Sequence, residues 1–218
     1  MLNKLGLKVI RFFSVFGDIM TLSGQVIYRI FFSKGYGQRS IDQMMSLGLK
    51  SLYITLITAL FVGMAFTIQV VREFLKFGAG DMVGGIVGMA VWRELAPLLT
   101  GVVVSGRVGA AISAELGTMK VTEQVEALHA MSQDRVEYLV LPRVIACVVM
   151  MPLLVGMADI FGFFGGFFVA IATGQINLYA YFNSAENMLN LADIYGGLIK
   201  AVFFGFVVSI ISCYMGLS

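Results

Sequence analysis

The sequence predicts an all-α integral membrane protein with four transmembrane helices, and three observations lead to that fold class. Hydrophobic residues make up 59% of the 218 residues, charged residues only 13%, and the mean hydropathy is +0.90. Several long stretches carry almost no charge, and lysine and arginine cluster on one side of these stretches. A chain this apolar cannot bury its hydrophobic surface in one soluble core, so lipid must be its solvent.

Composition also argues against several classes of function. The net charge of +2 is too small to indicate a nucleic-acid-binding protein. The single histidine and the isolated Cys147 and Cys213 lack the spacing of a metal site or a disulfide. No cleavable signal peptide is expected at the N-terminus. We therefore expect no metal, no cofactor and no nucleic-acid partner.

The first predicted element, residues 1–34, is an amphipathic helix in the membrane interface. Its polar residues recur at spacings of 3 or 4, which keeps them within one narrow stripe of a helix. The stripe consists of Arg11, Ser14, Asp18, Thr21, Gln25 and Arg29. Such a helix is expected at the headgroup level with the stripe facing water, and Lys34 followed by Gly35 and Gly37 is expected to end it. The alternative is a further span whose stripe faces the bundle.

Four apolar segments are long enough to cross the hydrocarbon layer, which takes about 20 residues. We predict transmembrane helices at 51–72, 82–114, 136–174 and 194–217. Positive residues are expected on the cytoplasmic side, and a cytoplasmic N-terminus leaves only Arg72 and Lys76 in outer loops. The inner segments then hold Lys4, Lys8, Arg11, Arg29, Lys34, Arg39, Lys50, Arg107, Lys120, Arg135 and Arg143.

The second span contains a buried pair of charges, Arg93 and Glu94. Adjacent residues lie about 100° apart on a helix, so each charge needs an external partner. Pro97 cannot donate to the carbonyl of Arg93, which should loosen the helix at the pair. Charges in a membrane usually face a cavity, a partner charge or a substrate. Two interpretations stay open: a substrate or gating role, or a structural ion pair, for which Asp159 in the third span is a plausible partner.

Two further features flank this pair. Small residues recur every four positions along the second span, so a neighbouring helix can approach closely at Gly101, Ser105, Gly109 and Ser113. A short helix is predicted at 115–131, across the cytoplasmic face, because Thr122 can cap a first turn containing Glu123 and Gln124. Asp134 followed by Glu137 gives the start signal of the next helix. The alternative for 115–131 is a solvated linker.

The chain contains RELAPLLTGVVVSGRVGAAISAELGTMKVTEQVEAL, followed by YLVLPRV. This run closely resembles the signature of the MlaE-type permeases of the ABC superfamily, and the similarity covers about residues 78–216. These permeases are the membrane subunits of lipid transporters that work with mammalian-cell-entry (MCE) domain proteins, and a chloroplast lipid permease belongs to the same group. The family usually continues into a fifth span, which is absent before Ser218, so a truncated, non-transporting copy is an alternative.

The resemblance implies a homodimeric permease for phospholipid or another polar lipid, in a bacterial inner membrane or a plastid inner envelope. Two ATPase subunits would bind the cytoplasmic coupling helix, and an MCE-domain ring would sit outside. The implied coupling residues are Glu115, Thr118, Lys120, Thr122, Glu123, Gln124, Glu126 and Leu128. We expect a lipid cavity near the dimer axis to be lined by Arg93, Glu94, Leu98, Ile68, Gln69 and Arg72.

Two other classes of function compete with this one. An ion-coupled secondary carrier or a channel would also contain buried charges but would not need a docking helix, and ATP dependence distinguishes it. A membrane-embedded lipid enzyme would need clustered catalytic groups, whereas Glu123 and Glu126 have no metal-like or transferase spacing. The sequence has no phosphate-binding Walker loop, so we expect ATP to be hydrolysed by another chain.

Overall fold

The computed structural model describes residues 2–32, 37–173 and 176–218, and within these ranges every regular element is helical. Four of the helices are long and apolar enough to cross a membrane, so the predicted all-α membrane fold is confirmed. The helices in these ranges are α1 (Leu2–Phe32), α2 (Gly37–Lys76), α3 (Gly80–Val121), α4 (Gln124–Ala130), α5 (Val136–Ala172), α6 (Leu178–Met188) and α7 (Leu191–Leu217), of which α2, α3, α5 and α7 are the candidate spans.

The four spans are held together by close backbone contacts at glycines. A Cβ atom added to Gly63 of α2 would lie 2.0 Å from the carbonyl oxygen of Gly162 in α5. On the other side of α5, a Cβ at Gly205 of α7 would lie 2.8 Å from the carbonyl oxygen of Cys147. Helices associate tightly in lipid when small residues let their backbones approach. α5 therefore lies between α2 and α7, and α7 also packs against α3.

Successive spans run in opposite directions, which gives the bundle two distinct ends. The α4 end contains the short helix α4, the last turns of α3 and α7, and the first turn of α5. The α6 end contains α6 and the short turn between α2 and α3. Sequence reasoning missed α6, which packs against the first turns of α3. Its Tyr181 is fully buried, and its backbone carbonyl lies over Gly84, where a Cβ would be 2.0 Å away.

Several turns within the spans are π-helical. They comprise Met45–Leu49 in α2, Val91–Leu95 and Ser105–Gly109 in α3, and Val136–Val140 in α5. Each π-turn accommodates one residue more than an α-turn, and such turns are frequent at functional sites. The turn at Val91–Leu95 carries both Arg93 and Glu94 and comes just before Pro97, where the sequence predicts a loosened helix.

Helix α1 lies against the α4 end of the bundle. The side chain of Asp18 accepts a hydrogen bond from Tyr214 near the end of α7, and Arg29 forms an ion pair with Asp134 just before α5. These two contacts are about 16 Å apart along α1. Because both partners lie at the same end of the bundle, α1 runs across that end, and it is not among the candidate spans found in the described residues.

Part of the polar stripe of α1 lies along the edge of the bundle. Asp18, Thr21 and Gln25 line a groove with Arg135 and Tyr214, so the stripe follows the edge of the bundle. The buried side of α1 lies beside the stripe and is centred on Val26. Large apolar side chains such as Phe12 and Phe13 are exposed instead. The predicted boundary at residue 34 lies outside the described residues.

The segment predicted as one helix at 115–131 is divided in the structure. Residues up to Val121 continue α3, and α4 begins only at Gln124. The break occurs at Glu123, whose φ of 59° is left-handed. Thr122 does not cap α4, because its hydroxyl donates back to the carbonyl of Thr118. The start signal of α5 is observed, since the Asp134 carboxylate accepts a hydrogen bond from the backbone N–H of Val136 at 2.9 Å.

Candidate functional site

Two ion pairs join α3 to α7 at the π-turn Val91–Leu95 of α3. The Arg93 guanidinium lies 2.5 Å from the Asp193 carboxylate, and the Lys200 ammonium lies 2.5 Å from the Glu94 carboxylate. Asp193 and Lys200 are seven residues apart, about two helical turns, so both lie on the face of α7 that meets α3. The expectation that Arg93 and Glu94 do not neutralise each other therefore agrees with the structure. Asp159, the suggested partner, is buried in α5 and takes part in neither pair.

The backbone carbonyl released by Pro97 is used in this cluster. Lys200 donates a second hydrogen bond, of 2.9 Å, to the carbonyl oxygen of Arg93. That oxygen would bond to residue 97 in a regular α-helix, but proline has no N–H. Lys200 thus donates to a carbonyl that lacks its usual helical donor because residue 97 is proline.

The ion-pair cluster is open to the surface of the bundle. The exposed fractions are 52% for the Arg93 side chain, 66% for Glu94 and 44% for Lys200, whereas Asp193 is almost fully buried. An apolar groove of about 460 Å³ begins at Lys200 and runs along α7. Its other lining residues are Ile199, Phe203, Phe204 and Val207. Charge beside an apolar groove is suited to a molecule with a polar head and an apolar tail.

The other residues predicted for the lipid cavity lie on the surface of the chain. Leu98 is exposed on α3, one turn beyond Glu94. Ile68, Gln69 and Arg72 are exposed on α2, and no hydrogen bond among the described residues connects them to Arg93 or Glu94. Within one chain, Arg93 and Glu94 therefore contact α7. Ile68, Gln69 and Arg72 form an exposed surface on α2 that is separate from the two ion pairs.

Most of the small-residue face of α3 packs against α7. A Cβ at Gly101 would meet the Phe204 ring at 3.2 Å, and one at Gly109 would meet the Ser212 hydroxyl at 2.9 Å. The Ser113 hydroxyl donates a 2.9 Å hydrogen bond to the Ser212 carbonyl. Ser105 differs, because its side chain is exposed and bonds back to its own helix. This face therefore fixes the position of α7, and with it that of Asp193 and Lys200.

Of the predicted coupling residues, only Leu128 of α4 is buried, in the core at the α4 end. Lys120 donates to the carbonyl of Leu217 at 2.9 Å, and Glu115 forms an ion pair with Arg143. Thr118 and Thr122 bond to carbonyls of their own helix. The exposed start of α4 consists of Glu123, Gln124 and Glu126.

Left-handed residues bracket α4. Glu123 precedes the helix with a φ of 59°, and Ser132 follows it with a φ of 56°. Non-glycine residues in this region carry strain that persists only where the surrounding structure maintains it. Beside α4 lies a cavity of about 600 Å³, lined by Val125, Glu126, Ser132, Gln133, Asp134 and Arg135. α4 is therefore a short helix with an exposed acidic start and a left-handed residue at each end.

The ion pair between Arg29 and Asp134 stabilises the attachment of α1 close to α4. The hydrogen bond from Arg29 lowers the pKa of the Asp134 carboxyl below its usual value, and the same bond raises the pKa of Arg29. Burial opposes both shifts but is the smaller effect. Both groups therefore stay charged at neutral pH, and the ion pair persists there.

Sequence reasoning missed Asp193 and Lys200, the partners of the charged pair. A usable signal existed, because an acid directly before the last apolar segment and a base inside it stand two turns apart, and each has the opposite sign to one of the charges in α3. The charge pattern counts Arg143 among the residues of the inner segments, and in the structure its side chain is only 5% exposed. Its burial could not be read from the sequence, since it depends on how α7 packs between α3 and α5.

Comparison with known proteins places this geometry in a family. The family model described as Permease MlaE matches residues 40–218, which include α2 from its fourth residue onward, the other three spans, α4 and both ion pairs. The chain belongs to the MlaE permease family. Charged residues of this MlaE-family chain thus lie at the exposed junction of two spans, and its short helix α4 lies at the end where α3 leads into α5.

Similar proteins carry consistent names. A probable ABC transporter permease protein of Synechocystis is 45% identical over 90% of this chain and 75% of its own length. A probable ABC transporter permease protein of Rickettsia felis is 40% identical over 98% of this chain and 83% of its own length. The chloroplastic protein TRIGALACTOSYLDIACYLGLYCEROL 1 of Arabidopsis thaliana is 40% identical over 92% of this chain and 57% of its own length.

Proposed function

We propose that this chain is the permease subunit of an ABC-type transporter that moves phospholipid or a related polar lipid between membranes. The observation that carries the proposal is the surface-open cluster of Arg93, Glu94, Asp193 and Lys200 beside the apolar groove of α7, in a member of the MlaE permease family. The charged groups would contact the lipid headgroup, and the groove would contact an acyl chain.

The energy source would be a separate ATPase, bound in two copies by a permease homodimer. Relatives named as ABC transporter permeases support this assignment. α4 is the proposed docking element, because its exposed acidic start, Glu123 to Glu126, can meet a basic surface while Leu128 anchors it in the core. ATP would be hydrolysed in the partner chain, and this subunit would carry out no catalysis.

Two further partners complete the proposal. Arg93 and Glu94 are exposed in one chain, which is costly in hydrocarbon unless a cavity or a second copy covers them. A homodimer would enclose these groups and bring the exposed α2 surface of Ile68, Gln69 and Arg72 toward the same cavity. An MCE-domain protein on the outer face would receive or deliver the lipid, with the N-terminus on the cytoplasmic side of a bacterial inner membrane or plastid inner envelope.

Reversal of the charge at Glu123 tests ATPase docking. Glu123→Lys should abolish co-purification of the ATPase from detergent extracts while the protein still inserts into the membrane, because the charge of the exposed helix start is inverted. Loss of an acid at a helix start changes stability by only about 0.3–1 kcal/mol, too little to unfold the bundle. Glu123→Gln is the matched control with the charge removed but not reversed, and it should retain more ATPase.

Lipid transport is measured with the reconstituted complex. Vesicles containing fluorescent phosphatidylglycerol should show lipid movement that requires ATP and the ATPase subunit. If lipid moves with an ion gradient and without ATP, the chain is a secondary carrier. If Glu123→Lys leaves both ATPase binding and lipid transport unchanged, α4 is a solvated linker and the docking proposal is wrong.

A further inference from the structure

A nearly buried arginine bridges the two spans that flank α4. The Arg143 side chain in α5 is 5% exposed, and its Nη2 atom lies 2.9 Å from the Glu115 carboxylate of α3. Its Nη1 atom donates a 2.7 Å hydrogen bond to the carbonyl of Leu139 in its own helix. The buried Nε atom has no hydrogen-bond partner among the described residues. The Glu115 side chain is 51% exposed, and its carboxylate supplies the opposite charge to the enclosed guanidinium.

The pair connects α3 and α5 past the helix that separates them. Near Glu115, α3 packs against α7, because a Cβ at Gly216 would lie 2.7 Å from the Leu116 Cβ atom. α7 in turn packs against α5 at Gly205 and Cys147. α3 and α5 therefore meet at this end through the long Arg143 side chain as well as through α7. The connection lies about two turns before the end of α3 and two turns after the start of α5.

Between this bridge and the candidate substrate site, α3 is helical throughout. The π-turn Ser105–Gly109 lies between Glu115 and the Arg93–Glu94 pair, which is about 30 Å away along the helix. On the other side, the left-handed residues Glu123 and Ser132 separate α4 from α3 and from α5. Because α4 is joined to both spans by short connections, its movement displaces the two helix ends together only if those ends are held to each other.

We propose that Arg143 and Glu115 are positioning residues that hold the ends of α3 and α5 as one rigid unit, so that movement of α4 passes into α3 and reaches Arg93 and Glu94. The coupling step rests on the proposed function, in which an ATPase moves α4. The rigid connection itself is independent of it. The pair transmits motion between two sites, and it contacts neither the lipid nor the ATPase.

The coupling step is tested with Glu115→Gln, which keeps the size of the side chain and removes the charge that Arg143 requires. In the reconstituted complex, ATPase co-purification should be retained, and the amount of fluorescent phosphatidylglycerol moved per ATP should fall about threefold to tenfold, within the range typical of residues along a coupling path. Glu115→Asp keeps the carboxylate and should restore part of the loss. Glu73→Gln breaks an exposed ion pair with Lys76 at the α6 end and is the matched control.

The rigid connection is tested without transport. Spin labels at Glu126→Cys on α4 and Val149→Cys on α5, both exposed positions, should give one narrow distance in the protein with the native pair and a broad distribution with Glu115→Gln. An unchanged narrow distribution, or an unchanged amount of lipid per ATP, overturns the proposal. So does failure of both Glu115→Gln and Glu115→Asp to assemble, which would assign the pair to folding alone. If the unsubstituted protein binds no ATPase and moves no lipid, the proposed function is wrong, and the spin-label result still decides the connection.

Discussion

At the scale of single residues, three ion pairs join charges inside the spans to opposite charges on neighbouring helices, while the buried Asp159 belongs to none of them. Arg93 is paired with Asp193, Glu94 with Lys200, and Arg143 with Glu115. Charges in hydrocarbon are tolerated when they find such partners. The pairs differ in exposure, because Glu94 is open to the surface whereas Arg143 is enclosed. We therefore expect loss of the Glu94 charge to affect contact with the lipid, and loss of the Glu115 charge to affect the connection between α3 and α5.

Removal of the Glu94 charge is expected to impair transport without preventing assembly. Glu94→Gln keeps the bulk of the side chain, and Lys200 keeps its hydrogen bond to the Arg93 carbonyl. The variant loses the hydrogen bond between the charged groups of Lys200 and Glu94. Such a bond contributes about 1.5–3 kcal/mol, so lipid transport should fall by roughly tenfold or more. Transport assays on the reconstituted complex measure this, with Glu186→Gln on α6 as an exposed control. A Glu94→Gln complex that does not assemble would assign the pair a purely structural role.

The Arg29–Asp134 pair gives the attachment of α1 a defined pH dependence. Because the folded pKa of Asp134 lies below its usual 3.8, the pair contributes stability above that value and loses it as pH falls through the lowered pKa. Hydrogen exchange of the second half of α1 should be slow between pH 5 and 8, and Asp134→Asn should accelerate it at pH 7. Equal exchange in both proteins would show that α1 is held by Val26 and its neighbours alone.

At the scale of elements, much of the helical layout could be predicted from the sequence, because apolar length and charge-free runs define spans directly. The division at Glu123 could not, since a left-handed glutamate has no sequence signal comparable to glycine. α6 was missed because its 11 residues form an amphipathic helix whose stability comes from packing on Gly84 and Gly85. The α7 partners of the charged pair depend on tertiary contacts that one sequence does not reveal.

The placement of α1 predicts which face of the membrane it can reach. Position 20 lies within α1 on its exposed side, between the contacts of Asp18 and Arg29 with the α4 end. In right-side-out vesicles, Met20→Cys should not react with an impermeant thiol reagent added outside, and it should react after the membrane is opened. Tyr179 at the α6 end is exposed, and Tyr179→Cys should react with the reagent added outside. Outside labelling at position 20 would contradict the interfacial placement.

At the scale of the whole molecule, the bundle depends on close backbone contacts at glycines as well as on two clusters of buried apolar side chains. α2 and α5 touch where Gly63 meets Gly162, and a Cβ there would lie 2.0 Å from a backbone oxygen that cannot move aside. Gly63→Ala should therefore cost at least about 1–3 kcal/mol and lower the yield of folded protein in detergent. Gly156→Ala in α5 is the control, because no atom lies within 4 Å of its added Cβ. Thermal unfolding of the two variants checks the difference, and equal midpoints would contradict it.

The π-turn at Val91–Leu95 also decides where α3 can accept a change in chain length. Its additional residue is contained within one wide turn, so loss of one residue there would restore an ordinary α-turn and leave the two flanks of α3 close to their present rotation. Loss of one residue from the regular helix Ala96–Val104 would instead rotate one flank by about 100° relative to the other. The ion pairs of Arg93 and Glu94 and the contacts of Gly109 with α7 could then no longer form together. Single-residue deletions should accordingly be tolerated in the turn between α2 and α3 and eliminated by selection in the regular part of α3, even where substitutions are accepted.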